Sequence, residues 1–136
     1  MLLFVYGSLR LPVIRNKILG REAETQPAAL NGYVKVCGQD CLTLIRGNGT
    51  VHGVVFEVQP EEMDAIDNWE NFPTYQAFPV DVEVNGRMVR AHSYVMPTPP
   101  TFNEQVDDDF ISPIPVDELL KIIESRLIGN KDNVPE

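Results

Sequence analysis

"LLFVYGSLRLPVIR", Leu2 to Arg15, decides how the rest of the chain is read. Leu2 to Tyr6 is an unbroken apolar run. A strand with water on one face alternates apolar and polar side chains, so an unbroken run predicts a short central strand covered on both faces. The run stops at Gly7 and Ser8. Pro12 then suits a first helical turn, Ile14 and Ile18 stand one turn apart, and Gly20 is placed to close the helix in the left-handed conformation. The predicted order is strand, glycine loop, short helix. A glycine ending a buried strand has a physical rationale, because a backbone without Cβ can take unusual dihedrals and let a ligand approach. The successive amides of Gly7, Ser8 and Leu9 can then cradle a carboxylate or a polarised carbonyl. The same residues also suit an ordinary strand-to-helix turn in which Ser8 bonds locally.

Working outward, "VHGVVFEV", Val51 to Val58, reads as a second strand, with Gly53 permitting a bulge or a close backbone approach. Pro60 opens a helix carrying Glu61 and Glu62 in its first turn, where negative charge is favourable. Between these regions, Gly32 to Ile45 predicts short strands, and "RGNGT", Arg46 to Thr50, predicts a turn by composition. Phe78 to Val84 and Met88 to Val95 flank "NGR", Asn85 to Arg87, a strong hairpin signal. Residues 97–115 form an acidic, proline-rich connection containing "VDDDF", expected to run over the surface. Val116, Leu119, Leu120, Ile123 and Leu127 follow helical spacing and predict an amphipathic helix over 116–128 packed on the sheet, followed by a flexible tail at 129–136. A chain of 136 residues without internal repeats predicts one domain, 1–136, with one core.

The net charge of −9 repels phosphate backbones and anionic lipid, so nucleic acid and membrane surfaces are not expected as partners. "MLLFVYG" has no basic leader and too short an apolar run for a signal peptide, and no segment approaches the roughly 18 to 20 apolar residues of a membrane helix. A reducing, cytoplasmic location is the expectation. Cys37 and Cys41, spaced C-x-x-x-C, miss the usual metal spacing even with His52 nearby, and are expected to be small buried or half-buried residues rather than metal ligands. The oligomeric state is not legible.

"MDAIDNWEN", Met63 to Asn71, closes the Pro60 helix. Ile66 has Trp69 at i+3 and Glu70 at i+4, so helical geometry sets Glu70 beside the apolar face. Partial burial and the neighbouring Asp67 would raise its proton affinity, and amide hydrogen bonds would lower it. A carboxyl so placed can shuttle protons near neutral pH. A Glu in the last turn can equally swing to solvent. Tyr75 is either a substrate-facing phenol or an amphipathic core edge. Arg10 either steers a carboxylate or is a solvated surface charge. His52 and His92 lack convergent partners and read as structural. Ser8 lacks a G-x-S-x-G setting or a nearby His, which argues against nucleophilic catalysis.

"FVYGSLR" at Phe4 to Arg10, then "VHGVVFEVQPEEMDAIDNWEN", then "YQAFPVDV" at Tyr75 to Val82, together resemble the gamma-glutamylcyclotransferase family in its AIG2-like branch. The family pattern is an apolar strand ending in Y-G-S/T-L, a G-x-V strand, a helix closing on L-D-x-x-E-G, then Tyr and a further strand. Ile66, Asp67, Glu70 and Asn71 occupy the L-D-x-x-E-G positions, over a resemblance spanning about Met1 to Met96. It implies an α+β fold, a small mixed β-barrel with short flanking helices. It also implies cyclisation of a small gamma-glutamyl compound to 5-oxoproline, with release of an amine or amino acid and no cofactor or metal. Glu70 maps onto the family's catalytic acid/base, and Tyr6, Gly7, Ser8 and Leu9 map onto its glutamyl-binding loop. Two departures stand out: Asn71 replaces Gly, and Ala77 sits where many relatives carry Arg. A non-catalytic small-metabolite-binding or regulatory module on the same fold is the alternative.

Overall fold

The computed structural model describes residues 1–39 and 41–132, with side chains to residue 125. Leu2–Val5 forms strand β1, and both its faces are covered as the apolar run predicts. Phe4 points into a cluster with Leu30, Leu44, Val51, Val55 and Val82, while Leu3 and Val5 join Phe56, Val58 and Ile66 in a second cluster on the other side. Burying side chains of this size contributes roughly 1.5–3 kcal/mol each. This short strand is therefore the seam between two apolar layers.

A 3-10 turn, Ser8–Arg10, leads to α1, Pro12–Leu19, which ends at Gly20 in the left-handed conformation (φ 73°). Then follow β2 (Gln26–Gly38), β3 (Cys41–Glu57), α2 (Pro60–Trp69), β4 (Gln76–Val84), β5 (Arg87–Val95), the short β6 (Glu104–Gln105) and α3 (Val116–Asp132). The strands run in the order β3-β1-β5-β4-β2, and β2 pairs back onto β3, closing a five-stranded barrel. β1 and β5 are parallel and the other barrel pairs antiparallel. The first apolar cluster fills the barrel, with Val80, Val82 and Val84 alternating inward along β4. The second lies under α1 and α2. This is the mixed barrel with flanking helices that the family resemblance implies. The β4–β5 turn is built on Asn85 (φ 52°) and Gly86 (φ 78°), the left-handed pair a tight hairpin needs.

Besides the long strands β2 and β3, found where short strands are expected over Gly32 to Ile45, the elements differ from expectation in three places. "RGNGT" is not a turn: it lies inside β3, where the pairing slips between Asn31↔Thr50 and Tyr33↔Arg46. Residues 47–49 are bulged opposite Gly32, and a Cβ on Gly49 would lie 2.8 Å from Val34 Cγ1, so glycine serves close strand packing there. Within 97–115, β6 pairs with β2 at Val36↔Gln105 and Cys37↔Glu104, so the connection is tied to the barrel. Finally, α3 runs through Gly129 to Asp132, since a glycine inside a helix is a cost of about 1 kcal/mol and not an obligatory stop. Its buried Leu119 and Ile123 meet Ile14 of α1, with Trp69 packed alongside, rather than the sheet. The remainder of the expected tail, residues 133–136, lies outside the described residues. No helix among the described residues is long and apolar enough to cross a membrane.

Candidate functional site

A cavity of about 200 Å³ opens where β1 ends. It lies between the Tyr6–Leu9 loop, the C-terminus of α2 and residues 111–114, with Leu119 and Ile122 of α3 completing the wall. Tyr6, Gly7, Ser8, Leu9, Glu70 and Tyr75, all singled out in the sequence, line this one space. Drug-sized sites occupy roughly 300–1,000 Å³, so this volume suits a ligand of amino-acid scale.

The end of α2 explains how Glu70 gets there. Glu70 caps the helix (φ −78°, ψ 1°), and Asn71 follows with φ 58°. The Phe72 amide donates to the Asp67 carbonyl (2.9 Å) and the Asn71 amide to the Asn68 carbonyl (3.2 Å). This is a Schellman closure, with Asn71 at the left-handed position that glycine usually fills. In this geometry L-D-x-x-E-G is a helix stop, and the stop holds the half-buried Glu70 at the cavity instead of leaving it to swing into solvent.

Gly7 has φ −120° and ψ −136°, a pair outside the common strand and helix regions, in line with the expectation of unusual dihedrals. Its φ is not left-handed, and the space around it is snug. A Cβ there would lie 3.3 Å from Leu42 Cδ2 and 3.4 Å from the Ile111 carbonyl oxygen. The loop's carbonyls are all held from behind. Lys35 Nζ donates to Tyr6 O (3.3 Å), the Arg10 and Leu11 amides donate to Gly7 O (2.9 Å) and Ser8 O (3.1 Å), and Arg15 Nη1 donates to Leu9 O and Arg10 O (3.1 Å each). Among the described residues, no protein acceptor takes the amides of Gly7, Ser8 and Leu9. Three donors on a loop lining the cavity therefore remain for a ligand. Ser8 Oγ is engaged differently, accepting from Trp69 Nε1 at 3.2 Å, which ties the loop to α2.

Three phenols surround the Glu70 charge. Tyr6 is pushed well above its ordinary pKa by burial first and then by Glu70. Burial, Cys41 and Glu70 raise Tyr75, and burial, Asp67 and Glu70 raise Tyr94. All are neutral at physiological pH. Their protons are committed: Tyr6 Oη donates to Tyr94 O (2.6 Å), Tyr75 Oη to Leu42 O (2.9 Å), and Tyr94 Oη to Asp67 Oδ1. Their oxygens accordingly present lone pairs as acceptors. Tyr75 thus lines the cavity and is also packed at the core edge.

Sequence reasoning missed Lys35, Tyr94 and the wall at 111–114. Lys35 is buried in β2 and also donates to Asp108 O and Phe110 O (2.8 Å each), fastening the acidic connection over the loop. Its signal was a lysine between Val34 and Val36 in a strand-like run. Arg10 is half-buried and does not line the cavity, and its Nη1 donates to the same Asp108 carbonyl at 2.5 Å. The Asp108 carboxylate in turn accepts from the His52 amide (3.1 Å) and pairs with His52 Nδ1 (2.6 Å). Partial burial opposes its ionisation, but His52 and Lys35 hold its carboxyl below the ordinary value. Ala77 packs in the outer apolar cluster and does not line the cavity. Cys37 and Cys41 are half-buried near the β2–β3 turn, and among the described residues no group of three or more His, Cys, Asp or Glu is arranged to hold a metal.

A small mixed barrel with a glycine loop and a helix-capping glutamate at one cavity defines a recognised class. The family model described as gamma-glutamyl cyclotransferase, AIG2-like, matches residues 3–112, and the chain belongs to that family. The match extends beyond Met96 into the acidic connection, which the sequence resemblance leaves out. Among solved structures, the Arabidopsis thaliana protein At5g39720.1 is 22% identical over 99% of this chain and 94% of its own, with a TM-score of 0.64. An AIG2-like protein from Mus musculus is 20% identical over 84% of this chain and 95% of its own, with a TM-score of 0.62. A gamma-glutamyl cyclotransferase is 19% identical over 91% of this chain and 98% of its own, with a TM-score of 0.61. No curated protein sequence matches the chain.

Proposed function

We propose that this chain cyclises a gamma-glutamyl amide to 5-oxoproline and releases the amine, with Glu70 as general base and then general acid. The single observation that carries this reading is the cavity shared by Glu70 and the amide-bearing loop Gly7 to Leu9. The substrate's α-ammonium loses a proton to Glu70, and its nitrogen attacks the γ-carbonyl carbon to close a five-membered ring. Of the three loop amides, two can hold the substrate's α-carboxylate while the third meets the negative charge that develops on the γ-carbonyl oxygen. The C–N bond to the amine then breaks as Glu70 returns the proton to the departing nitrogen, and the second proton that the ring nitrogen must shed passes through the freed Glu70 carboxylate to the released amine. Because nucleophile and electrophile belong to one molecule, holding the folded conformer supplies much of the rate, up to roughly 7–11 kcal/mol in ideal cases. The phenol oxygens of Tyr6 and Tyr75, with their protons engaged elsewhere, are acceptors for the α-ammonium.

The test is 5-oxoproline release from a panel of gamma-glutamyl amides and peptides. Glu70→Gln is expected to lower turnover by about 10²–10⁴-fold, the usual range for a removed acid/base. A folded Glu70→Gln with near-normal release sinks the assignment. Ligand-dependent thermal shifts without product from the unmodified chain favour a binding module instead.

A further inference from the structure

The cavity has two unlike sides. Toward the loop and α2 it offers amides, phenol oxygens and Glu70. Toward α3 it is walled by Ile111, Ser112, Pro113, Ile114, Leu119 and Ile122, and the Ser112 hydroxyl oxygen is engaged in accepting from the Ile114 amide (3.0 Å). No Lys, Arg or His is among the described residues that line it. The nearest cations to the loop, Arg10, Arg15 and Lys35, are each bonded to main-chain carbonyls. The chain as a whole carries a net charge of −9, so its field does not attract an anionic leaving group.

We infer that the isoleucine-rich wall is the subsite for the departing amine, and that it selects a compact apolar amine bearing neither a carboxylate nor a second ammonium. The inference rests on the cyclising reading. A gamma-glutamyl group placed with its carboxylate on the loop amides and its ammonium toward Glu70 leaves the γ-amide nitrogen directed to the remaining, apolar side. A carboxylate on the leaving group would be taken out of water with no counter-charge among the described lining residues. A second ammonium would be desolvated against isoleucine and proline. A small branched hydrocarbon loses nothing there and is drawn in by burial of its own surface. The about 200 Å³ available to the whole ligand limits such an amine to a few carbons.

Gamma-glutamyl-isobutylamide and gamma-glutamylvaline form a matched pair, because isobutylamine is valine without its carboxylate. Gamma-glutamyl-4-aminobutylamide adds the terminal ammonium. Both 5-oxoproline release and calorimetric Kd are measured on the unmodified chain. The isobutylamide is expected to lead the other two by roughly 10- to 100-fold in kcat/KM and in affinity. Equal or better use of gamma-glutamylvaline or the aminobutylamide overturns the subsite. If no compound yields 5-oxoproline, the cyclising reading fails by itself, while the order of Kd values still decides the subsite. If none of the three binds, both fail. Ile114→Arg, or Ile122→Arg should the first fail to fold, is expected to shift the preference toward gamma-glutamylvaline by at least about tenfold, and an unchanged ratio in a folded variant counts against the wall.

Discussion

At Asn71 the chain spends left-handed backbone geometry (φ 58°) to finish α2 and present Glu70. Asparagine tolerates that region because its short side chain bonds locally, glycine enters it freely, and a β-branched residue does not. Asn71→Gly is therefore expected to leave stability within about 0.5 kcal/mol, and Asn71→Val to cost about 1–2 kcal/mol, read as the shift in urea midpoint. An Asn71→Val variant as stable as the parent would mean that the turn does not depend on this conformation. The glutamate itself was legible from its i+4 relation to Ile66. Its phenol neighbours were not, since Tyr94 is far away in sequence and reaches Asp67 only across the folded chain.

At the scale of elements, β2 governs the acidic connection through one side chain. Lys35→Met leaves the carbonyls of Tyr6, Asp108 and Phe110 without their buried donor, at a cost of about 1–3 kcal/mol. Amide hydrogen exchange is expected to accelerate over residues 107–114 and to stay unchanged in the β4–β5 hairpin. Uniform acceleration throughout would show that Lys35 supports the barrel as a whole rather than the connection. Elements set by neighbouring residues were readable: the Asn85–Gly86 turn, the Pro12 and Pro60 helix starts, and the continuous apolar strand β1. "RGNGT" misled because a β-bulge and a chain reversal ask for the same small residues. Only the strand running on to Glu57 tells them apart.

For the molecule as a whole, the buried Lys35 makes stability depend on alkaline pH. Burial, then the nearby Arg10, push its pKa down from 10.5 to about 8, against the opposing pull of Asp108, Asp109 and Asp107. Between those values the unfolded chain holds a proton that the folded chain has released, so stability rises with pH across the window. The contribution is complete above 10.5 and is lost as pH falls through about 8. Urea midpoints are expected to rise from about pH 7.5 to 9.5 in the parent and to stay flat in Lys35→Met. This range lies below the ionisation of ordinary tyrosines, whose raised values in Tyr6 and Tyr94 act in the opposite direction at higher pH. A parent and variant with parallel profiles would remove Lys35 as the cause.

The sequence alone determined those features whose cause lies within a few residues: a strand apolar on both faces, a glycine where it ends, a hairpin at Asn-Gly, and a helix whose last turn carries Glu70. Barrel closure and α3 packing decided the rest. They brought Lys35 to the carbonyls of residues 108 and 110, Tyr94 to Asp67, and an isoleucine-rich wall to the far side of the cavity. The division has a physical basis. Backbone dihedral preferences and hydrophobic period are properties of adjacent residues, whereas the partner of a buried lysine or phenol is set by which distant strands the closed sheet places beside it.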